Sequence, residues 1–165
     1  MAMTLATGEI PPRPPVAPAP AARRVLAGVL DYWRLLAAAE GIPPRGRVEF
    51  SGPPETWENA FIVRVASDPK DFVFESAGPA LRRFLGRDPV ARRVADVMPA
   101  AIRARILFVQ KTAMRLRSPV DEVGSWRAED GQRMRFRMIV APLSDDQVQV
   151  NYLLGAFIAG LERAI

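Results

Sequence analysis

Residues 120–158 read VDEVGSWRAEDGQRMRFRMIVAPLSDDQVQVNYLLGAFI, and this stretch predicts three consecutive antiparallel strands. The first covers 120–128 and leads into Glu129-Asp130-Gly131-Gln132, a hairpin signal because Asp-Gly tolerates positive φ. The second begins at Arg133, alternates arginines with Met and Phe, and is expected to end at Pro142. The third is predicted over 147–158, with one apolar face made by Val148, Val150, Tyr152, Leu154 and Ile158. Together they predict a three-stranded meander.

A β-hairpin and several helices precede the meander. Strands are predicted over 59–66 and 72–75, joined by the turn signal Ser67-Asp68-Pro69-Lys70. A short helix is expected at 78–85, a short turn at 94–98, and a longer helix over 99–117. The buried face of the longer helix is predicted to carry Ile102, Ile106, Val109, Ala113 and Leu116. Five strands with helices grouped between them predict the α+β class: one five-stranded antiparallel sheet with helices on one face.

The N-terminal region divides into a tail and a flanking helix. Residues 1–21 contain six prolines and are predicted to be extended and disordered, because proline fixes φ and removes a hydrogen-bond donor. A helix is expected over 23–39. Its apolar stripe is wide enough for two contacts, one with the domain and one with another protein, and the predicted interface centres on Tyr32, Trp33 and Leu36. We therefore predict one domain over 22–162 behind the tail.

Histidine and cysteine are both absent from the 165 residues. Without cysteine there is no disulfide, thiolate metal site or cysteine nucleophile, which suits a reducing cytosol. Without histidine the most frequent general base and the usual zinc and haem ligands are missing. No run approaches the roughly 20 apolar residues of a membrane helix. We expect a cytoplasmic protein that is no enzyme, holds no metal or cofactor, and does not contact a membrane.

The net charge of +5 is unevenly distributed. Between Leu81 and Arg117, ten cations stand against Asp88 and Asp96, so this stretch alone carries a net charge of +8. Such an excess would speed the approach of an acidic partner, and the predicted contacts are Arg92, Arg93 and Arg103. Nucleic-acid binding is the alternative function. It is disfavoured because the sequence shows neither helix-turn-helix spacing nor aromatic residues set among basic strand residues.

Four short segments follow one another in an informative order: DYW at 31–33, RRFLGRD at 82–88, APLSDD at 141–146 and LLG at 153–155. They resemble the PAS domains of short, stand-alone bacterial proteins over about residues 24–159. The sequence departs from that family's pattern at 89–93 and 53–56, near the loops that usually face the ligand. The resemblance implies a sensory or signalling module. It also implies that the last strand lies centrally, beside 59–66, with the helix 99–117 across one face.

PAS domains place small ligands between the sheet and its helices, or contact other proteins, so two kinds of site are expected. A pocket for an apolar ligand would be lined by Phe74, Phe84, Trp126, Phe136 and Met138, although the same residues could simply fill the core. For haem bound through Met134, Met138 or Tyr152, core packing is the better interpretation. The predicted partners are a sensor kinase, another PAS protein, or a second copy in a homodimer.

Two further polar patterns have structural interpretations. The row Arg133, Arg135 and Arg137 would either bind an anion or form a solvated face paired with Glu122 and Glu129. The adjacent acids all fall at predicted strand ends or turns, where such acids are usually solvated: Asp121-Glu122, Glu129-Asp130 and Asp145-Asp146. The sequence has no phosphate-binding loop, nucleophile elbow or metal-ligand motif. Contact with a partner is therefore the predicted mode of action.

Overall fold

The computed structural model describes residues 19–66 and 71–162. In chain order the elements are α1 (Ala19–Glu40), a 3₁₀ turn (Arg45–Arg47), α2 (Pro54–Trp57), β1 (Ala60–Val65), β2 (Phe72–Ala77), α3 (Pro79–Leu85), α4 (Val94–Val97), α5 (Ala100–Leu116), β3 (Val120–Arg127), β4 (Arg133–Leu143) and β5 (Tyr152–Leu161). The predicted order of the strands and of the three longer helices is confirmed. The structure adds the 3₁₀ turn and α2, and α4 is a one-turn helix where a turn is predicted. Because α1 begins at Ala19, residues 19–21 are helical rather than part of the tail. The rest of the predicted tail and the predicted turn 67–70 lie outside the described residues.

The five strands form one antiparallel sheet in the order β2-β1-β5-β4-β3. Strand β5 lies at its centre. It pairs with β1 from Ala60 opposite Ala156 to Arg64 opposite Tyr152, and with β4 along nearly the whole of both strands. The predicted α+β fold, and the central position of the last strand beside β1, are confirmed.

Helices α3, α4 and α5 pack on one face of the sheet, called the inner face here. Alternation along β4 defines this face, since Phe136 and Met138 join the core beneath the helices while the residues between them point away. Four of the five predicted residues of α5 are buried: Ile102, Ile106, Val109 and Ala113. The prediction is wrong for Leu116, which is 55% exposed where the chain leaves the helix through Arg117 at φ +55°.

Helix α1 lies on the opposite, outer face of the sheet. Val29 and Trp33 are buried there in one apolar cluster with Ile62 of β1 and Leu154 of β5. Strand β5 is therefore covered on both faces, which explains why its sequence does not alternate between apolar and polar residues. None of the described helices is long and apolar enough to cross a lipid bilayer.

The start of the last strand differs from the prediction. Strand β5 begins at Tyr152, because residues before it form a loop in which the Asp146 carboxylate accepts two backbone N–H groups at 2.9 and 2.8 Å. Val148 in that loop is 72% exposed. The predicted single apolar face is also wrong, since Val150 joins the inner core whereas Tyr152 packs on the outer side.

Pro142 lies inside β4 instead of ending it. Strand β4 pairs with β3 only as far as Val140 opposite Val120, but with β5 as far as Leu143. The N–H that proline lacks is therefore not required by the β3–β4 ladder. The Pro142 carbonyl accepts a 2.7 Å hydrogen bond from the indole Nε1 of Trp33, which ties β4 to α1.

The two edges of the sheet are not equivalent. On β2, the N–H of Phe74 donates to the Arg92 carbonyl at 3.0 Å and its carbonyl accepts the Ala91 N–H at 2.9 Å. Val73 also forms an isolated antiparallel bridge with Arg93. Strand β3 forms the other end of the sheet and, within the part of the chain that the structure describes, pairs only with β4. The open edge is therefore β3.

Candidate functional site

The five residues predicted to line a pocket lie together between the sheet and the helices. Phe74, Phe136 and Met138 are buried, and Phe84 and Trp126 are half-buried against them. The rings of Phe84 and Trp126 meet nearly edge-on with centroids 6.4 Å apart, and Trp126 lies 6.3 Å from Phe136. The structure thus brings all five into one cluster. Their role in binding a ligand stays a prediction.

Phe157 of β5 belongs to this cluster and was not identified from the sequence. Its ring stacks on Phe136 at 5.6 Å and packs against Phe84 at 5.3 Å. The prediction placed the apolar face of the last strand on the even-numbered residues, so Phe157 was missed. Pairing with Met138 across the β4–β5 ladder puts it on the inner face.

A small cavity of about 10 Å³ lies beside the cluster, lined in part by Phe74, Met138 and Gln110 of α5. Gln110 is fully buried, and its Oε1 has no hydrogen-bond partner among the described residues. Its position four residues after Ile106 places it on the predicted apolar stripe, so its burial could have been inferred. The cavity is about the size of one water molecule, and its polar atom would accept a hydrogen bond from a small donor.

The candidate haem ligands do not converge. Met138 is buried on the inner face, and Met134 lies four residues earlier on β4, half-buried. Tyr152 packs in the outer cluster beneath α1, on the other side of the sheet. Across the described ranges, no group of three acidic side chains is placed to hold a metal ion. Met138 and Tyr152 therefore pack in separate clusters on the two faces of the sheet.

The predicted interface residues of α1 contact their own domain. Trp33 is only 9% exposed, and Leu36 is half-buried in the same outer cluster. The Tyr32 hydroxyl accepts the Glu49 N–H at 2.8 Å, while its ring meets Trp57 edge-on at 5.0 Å. The wide stripe therefore reflects one broad contact with the outer face. It offers no exposed apolar anchor at Trp33, and contact of Tyr32, Trp33 and Leu36 with another protein stays a prediction.

The predicted cationic contacts differ in exposure. Arg92 is exposed, whereas Arg103 is half-buried and donates to the Met98 carbonyl at 3.1 Å. Arg93 is ion-paired with Asp96 at 2.9 Å. The hydrogen bond between them raises the pKa of Arg93 and lowers that of Asp96. Only Arg92 of the three is an exposed cation without an ion pair to the described residues.

The arginine row of β4 lies on the outer face: Arg133, Arg135 and Arg137. Arg133 pairs with Glu162 at 2.9 Å, not with the predicted Glu122 or Glu129. Glu122 points to the inner side because it lies opposite Met138, and there it is bound by Arg105 of α5. Strand register therefore determines which carboxylate each arginine meets.

Helix α1 leaves one part of the outer face uncovered, and we call it the β3–β4 face: Val123, Ser125, Arg135 and Arg137. Val123, opposite Arg137 in the ladder, is 37% exposed. Arg137 is half-buried, and its Nε is a buried donor with no partner among the described residues. A buried donor of this kind is usually paired. Among residues 19–66 and 71–162, therefore, no element with acceptor groups covers this face.

Comparison with solved structures finds LOV domains among the similar folds. The light-state LOV domain of the blue-light photoreceptor aureochrome1 is 15% identical, over 66% of this chain and 86% of that one, with a TM-score of 0.48. The Rhodobacter sphaeroides LOV protein is 12% identical, over 83% and 67%, with a TM-score of 0.47. The LOV domain of the blue-light-activated histidine kinase of Erythrobacter litoralis is 18% identical, over 62% and 95%, with a TM-score of 0.43.

No curated protein matches the chain. A family model described as "PAS domain" matches residues 22–158, which is most of the sequence and covers every strand except the last residues of β5. The match begins within α1, so the flanking helix is part of the matched region. The chain therefore belongs to the PAS domain family.

Proposed function

We propose that the protein is a non-catalytic signalling module that acts by contact with another protein, in the first place a second copy of itself. Membership of the PAS family supports the sensory and signalling class. The acids identified in the sequence serve local structure: Glu122 binds Arg105, and Asp146 holds the loop before β5. The chain has no histidine or cysteine to supply a general base or thiolate, and the lack of cysteine suits a cytoplasmic location.

The β3–β4 face is the observation that carries this proposal. It combines an open sheet edge, the partly exposed Val123 and the unpartnered donor of Arg137. A covering partner would bury the valine and supply an acceptor to the guanidinium, which relieves the cost of an unpaired buried donor. A sensor kinase or another PAS protein would serve equally as partner if it carries acidic residues at its contact surface.

The edge of β3 is self-complementary in charge. Gly124 lies at its centre, with Asp121 three residues before it and Arg127 three residues after it, and both are exposed. In an antiparallel pairing of two β3 strands about a two-fold axis, Asp121 of one copy stands opposite Arg127 of the other. This charge pattern at the β3 edge favours the homodimer over an unrelated partner. Strand pairing would flank Val123, whereas Arg137 on β4 would also need an acceptor from side chains of the second copy that reach over the β3–β4 face.

The test is the oligomeric state of the full chain, measured by sedimentation velocity over a concentration series. We expect a dimer that is weakened at least about ten-fold by Val123→Glu or Asp121→Arg, and restored by combining Asp121→Arg with Arg127→Asp. Val148→Glu, at an exposed valine outside the β3–β4 face, is the matched control and should leave the dimer intact.

A chain that stays monomeric at all concentrations contradicts the homodimer. Binding of a sensor kinase or PAS protein to the wild type but not to Val123→Glu would then support contact with a partner. If Val123→Glu changes neither measurement, the proposed contact face is wrong.

A small ligand in the core is the second candidate function, and Gln110 alone favours it. Its buried Oε1 would accept a hydrogen bond from a ligand whose remaining surface is apolar. The present cavity is water-sized, so neighbouring aromatic side chains would have to move to admit such a ligand. Native mass spectrometry of the purified chain should show added mass that Gln110→Leu loses; a mass equal to that of the bare chain contradicts the core ligand.

No observation favours nucleic-acid binding, since Arg93 and Arg105 in the basic stretch are paired with carboxylates.

A further inference from the structure

A larger cleft lies away from both the core cavity and the β3–β4 face. It has a volume of about 710 Å³ and forms where the last turn of α5, the end of β1 and the loop before β5 meet. Its lining combines cationic and apolar side chains: Arg64, Arg115, Arg117, Met114, Val150 and Tyr152. This volume falls within the range of small-molecule sites, about 300–1,000 Å³.

The cleft carries an excess of positive charge. Three arginines line it against one carboxylate, Asp145. That carboxylate accepts the backbone N–H of Arg45 at 3.0 Å, so one of its oxygens is already engaged. Arg64 and Arg115 take part in none of the ion pairs formed among residues 19–66 and 71–162. The net charge of the lining is therefore +2.

The third arginine is oriented by the loop that forms the wall of the cleft. The Arg117 guanidinium donates to the carbonyls of Gln147 and Val148 at 2.7 and 2.6 Å. Arg117 and Gln147 both adopt positive φ, at 55° and 61°, a conformation that is uncommon for residues other than glycine. Strained residues of this kind concentrate at functional sites.

The wall is fixed independently of any ligand. The Asp146 carboxylate accepts the N–H groups of Val148 and Gln149, and the Ser144 hydroxyl donates to the Gln149 carbonyl. The side-chain amide of Gln147 donates to the Ile42 carbonyl, which ties the loop to the segment after α1. A preformed wall lowers the entropic cost of binding.

We propose that this cleft binds a small organic phosphate. A phosphate monoester carries about −1.5 to −2 charges at pH 7, which matches the net charge of the lining. Guanidinium groups recognise phosphate oxygens through charge-assisted, often bidentate hydrogen bonds, and Arg64 and Arg115 are available for them. Val148, which is largely exposed, and the half-buried Met114 and Tyr152 supply the apolar surface for the organic part of the ligand. The site is separate from the proposed protein contact, so either can hold without the other.

The test is isothermal titration calorimetry of the full chain with AMP, GMP, glucose 6-phosphate, inorganic phosphate and adenosine. We expect at least one of the three phosphate esters to bind, and adenosine, which lacks the phosphate, to bind at least about ten-fold more weakly than AMP if AMP is the ester bound. Tighter binding of the ester than of inorganic phosphate would show that the apolar surface contributes. Amide shifts of Asn151 and Tyr152 in NMR spectra would place the ligand in the cleft.

Arg64→Gln and Arg115→Gln, both at exposed positions, should each weaken binding of the ester at least about ten-fold while the thermal unfolding of the protein is unchanged. Arg83→Gln is the matched control, because Arg83 is an exposed arginine of α3 outside the cleft. The proposal is overturned if none of the three esters binds more tightly than about 1 mM. It is also overturned if Arg83→Gln weakens binding as much as Arg64→Gln, since the attraction would then come from net charge alone.

Discussion

Trp33 should be the side chain that secures α1 to the sheet, and two substitutions separate its contributions. Trp33→Phe keeps most of the ring but removes Nε1, which leaves the buried Pro142 carbonyl without its 2.7 Å hydrogen bond. An unpaired buried acceptor costs about 1–3 kcal/mol, which is the expected loss in the free energy of unfolding. Trp33→Ala also empties the outer cluster, and a buried tryptophan replaced by alanine costs about 3–5 kcal/mol.

The assay is urea unfolding followed by far-ultraviolet circular dichroism, because Trp57 and Trp126 would still dominate the fluorescence of a Trp33 variant. Leu35→Ala is the control on the same helix, since Leu35 is 73% exposed and should change stability by less than about 0.5 kcal/mol. A loss below about 0.5 kcal/mol for Trp33→Ala would refute the reasoning. So would a separate early transition of α1 in the wild type, since the helix would then not share the core of the domain.

Three other substitutions test individual groups. Gln110→Met should raise the free energy of unfolding by about 1 kcal/mol in urea, because it removes an unpaired buried acceptor without emptying space; a loss of stability would mean that Oε1 is satisfied. Backbone hydrogen bonds lower the pKa of Asp146, so the stability it contributes is present above the ordinary aspartate pKa of 3.8 and is lost as the pH falls through the lowered value. The melting temperature of Asp146→Asn should lack that part of the acid dependence. A pH profile identical to that of the wild type would contradict the stabilisation of the loop by the Asp146 carboxylate. Gly155→Ala should cost about 3 kcal/mol, because a Cβ there would lie 2.7 Å from the Ile139 carbonyl oxygen and 2.4 Å from the Phe61 ring; an unchanged melting temperature would contradict this close approach.

Local patterns predicted the elements whose ends depend on local chemistry. Gly86 ends α3 at φ +69°, and Gly131 forms the β3–β4 turn at φ +80°, as expected of glycine at a helix end and in an Asp-Gly turn. The alternation of Arg133–Met138 correctly assigned the two faces of β4. These signals involve residues close together in the chain, so they could be read without knowledge of the tertiary contacts.

The errors arose where distant residues decide the outcome. Val148 and Val150 alternate with glutamines as in a strand, but the segment forms a loop. The N–H of Val148 donates to the Asp146 carboxylate, and its carbonyl accepts from Arg117, the residue after α5. The wide apolar stripe of α1 predicts two contacts, because the periodicity of apolar residues does not show how broad a sheet the helix covers.

The unequal edges of the sheet limit how this protein can associate through its backbone. A sheet with two open edges can add a strand at each, and repeated addition produces a fibre. Here the segment Ala91–Arg93 pairs with Val73 and Phe74 of β2, which obstructs strand addition on that side and favours addition at β3. Two copies joined through β3 would leave only the obstructed β2 edges, and growth would be expected to stop at a pair. Displacing Ala91–Arg93 from β2 would remove that stop and allow open-ended polymerisation.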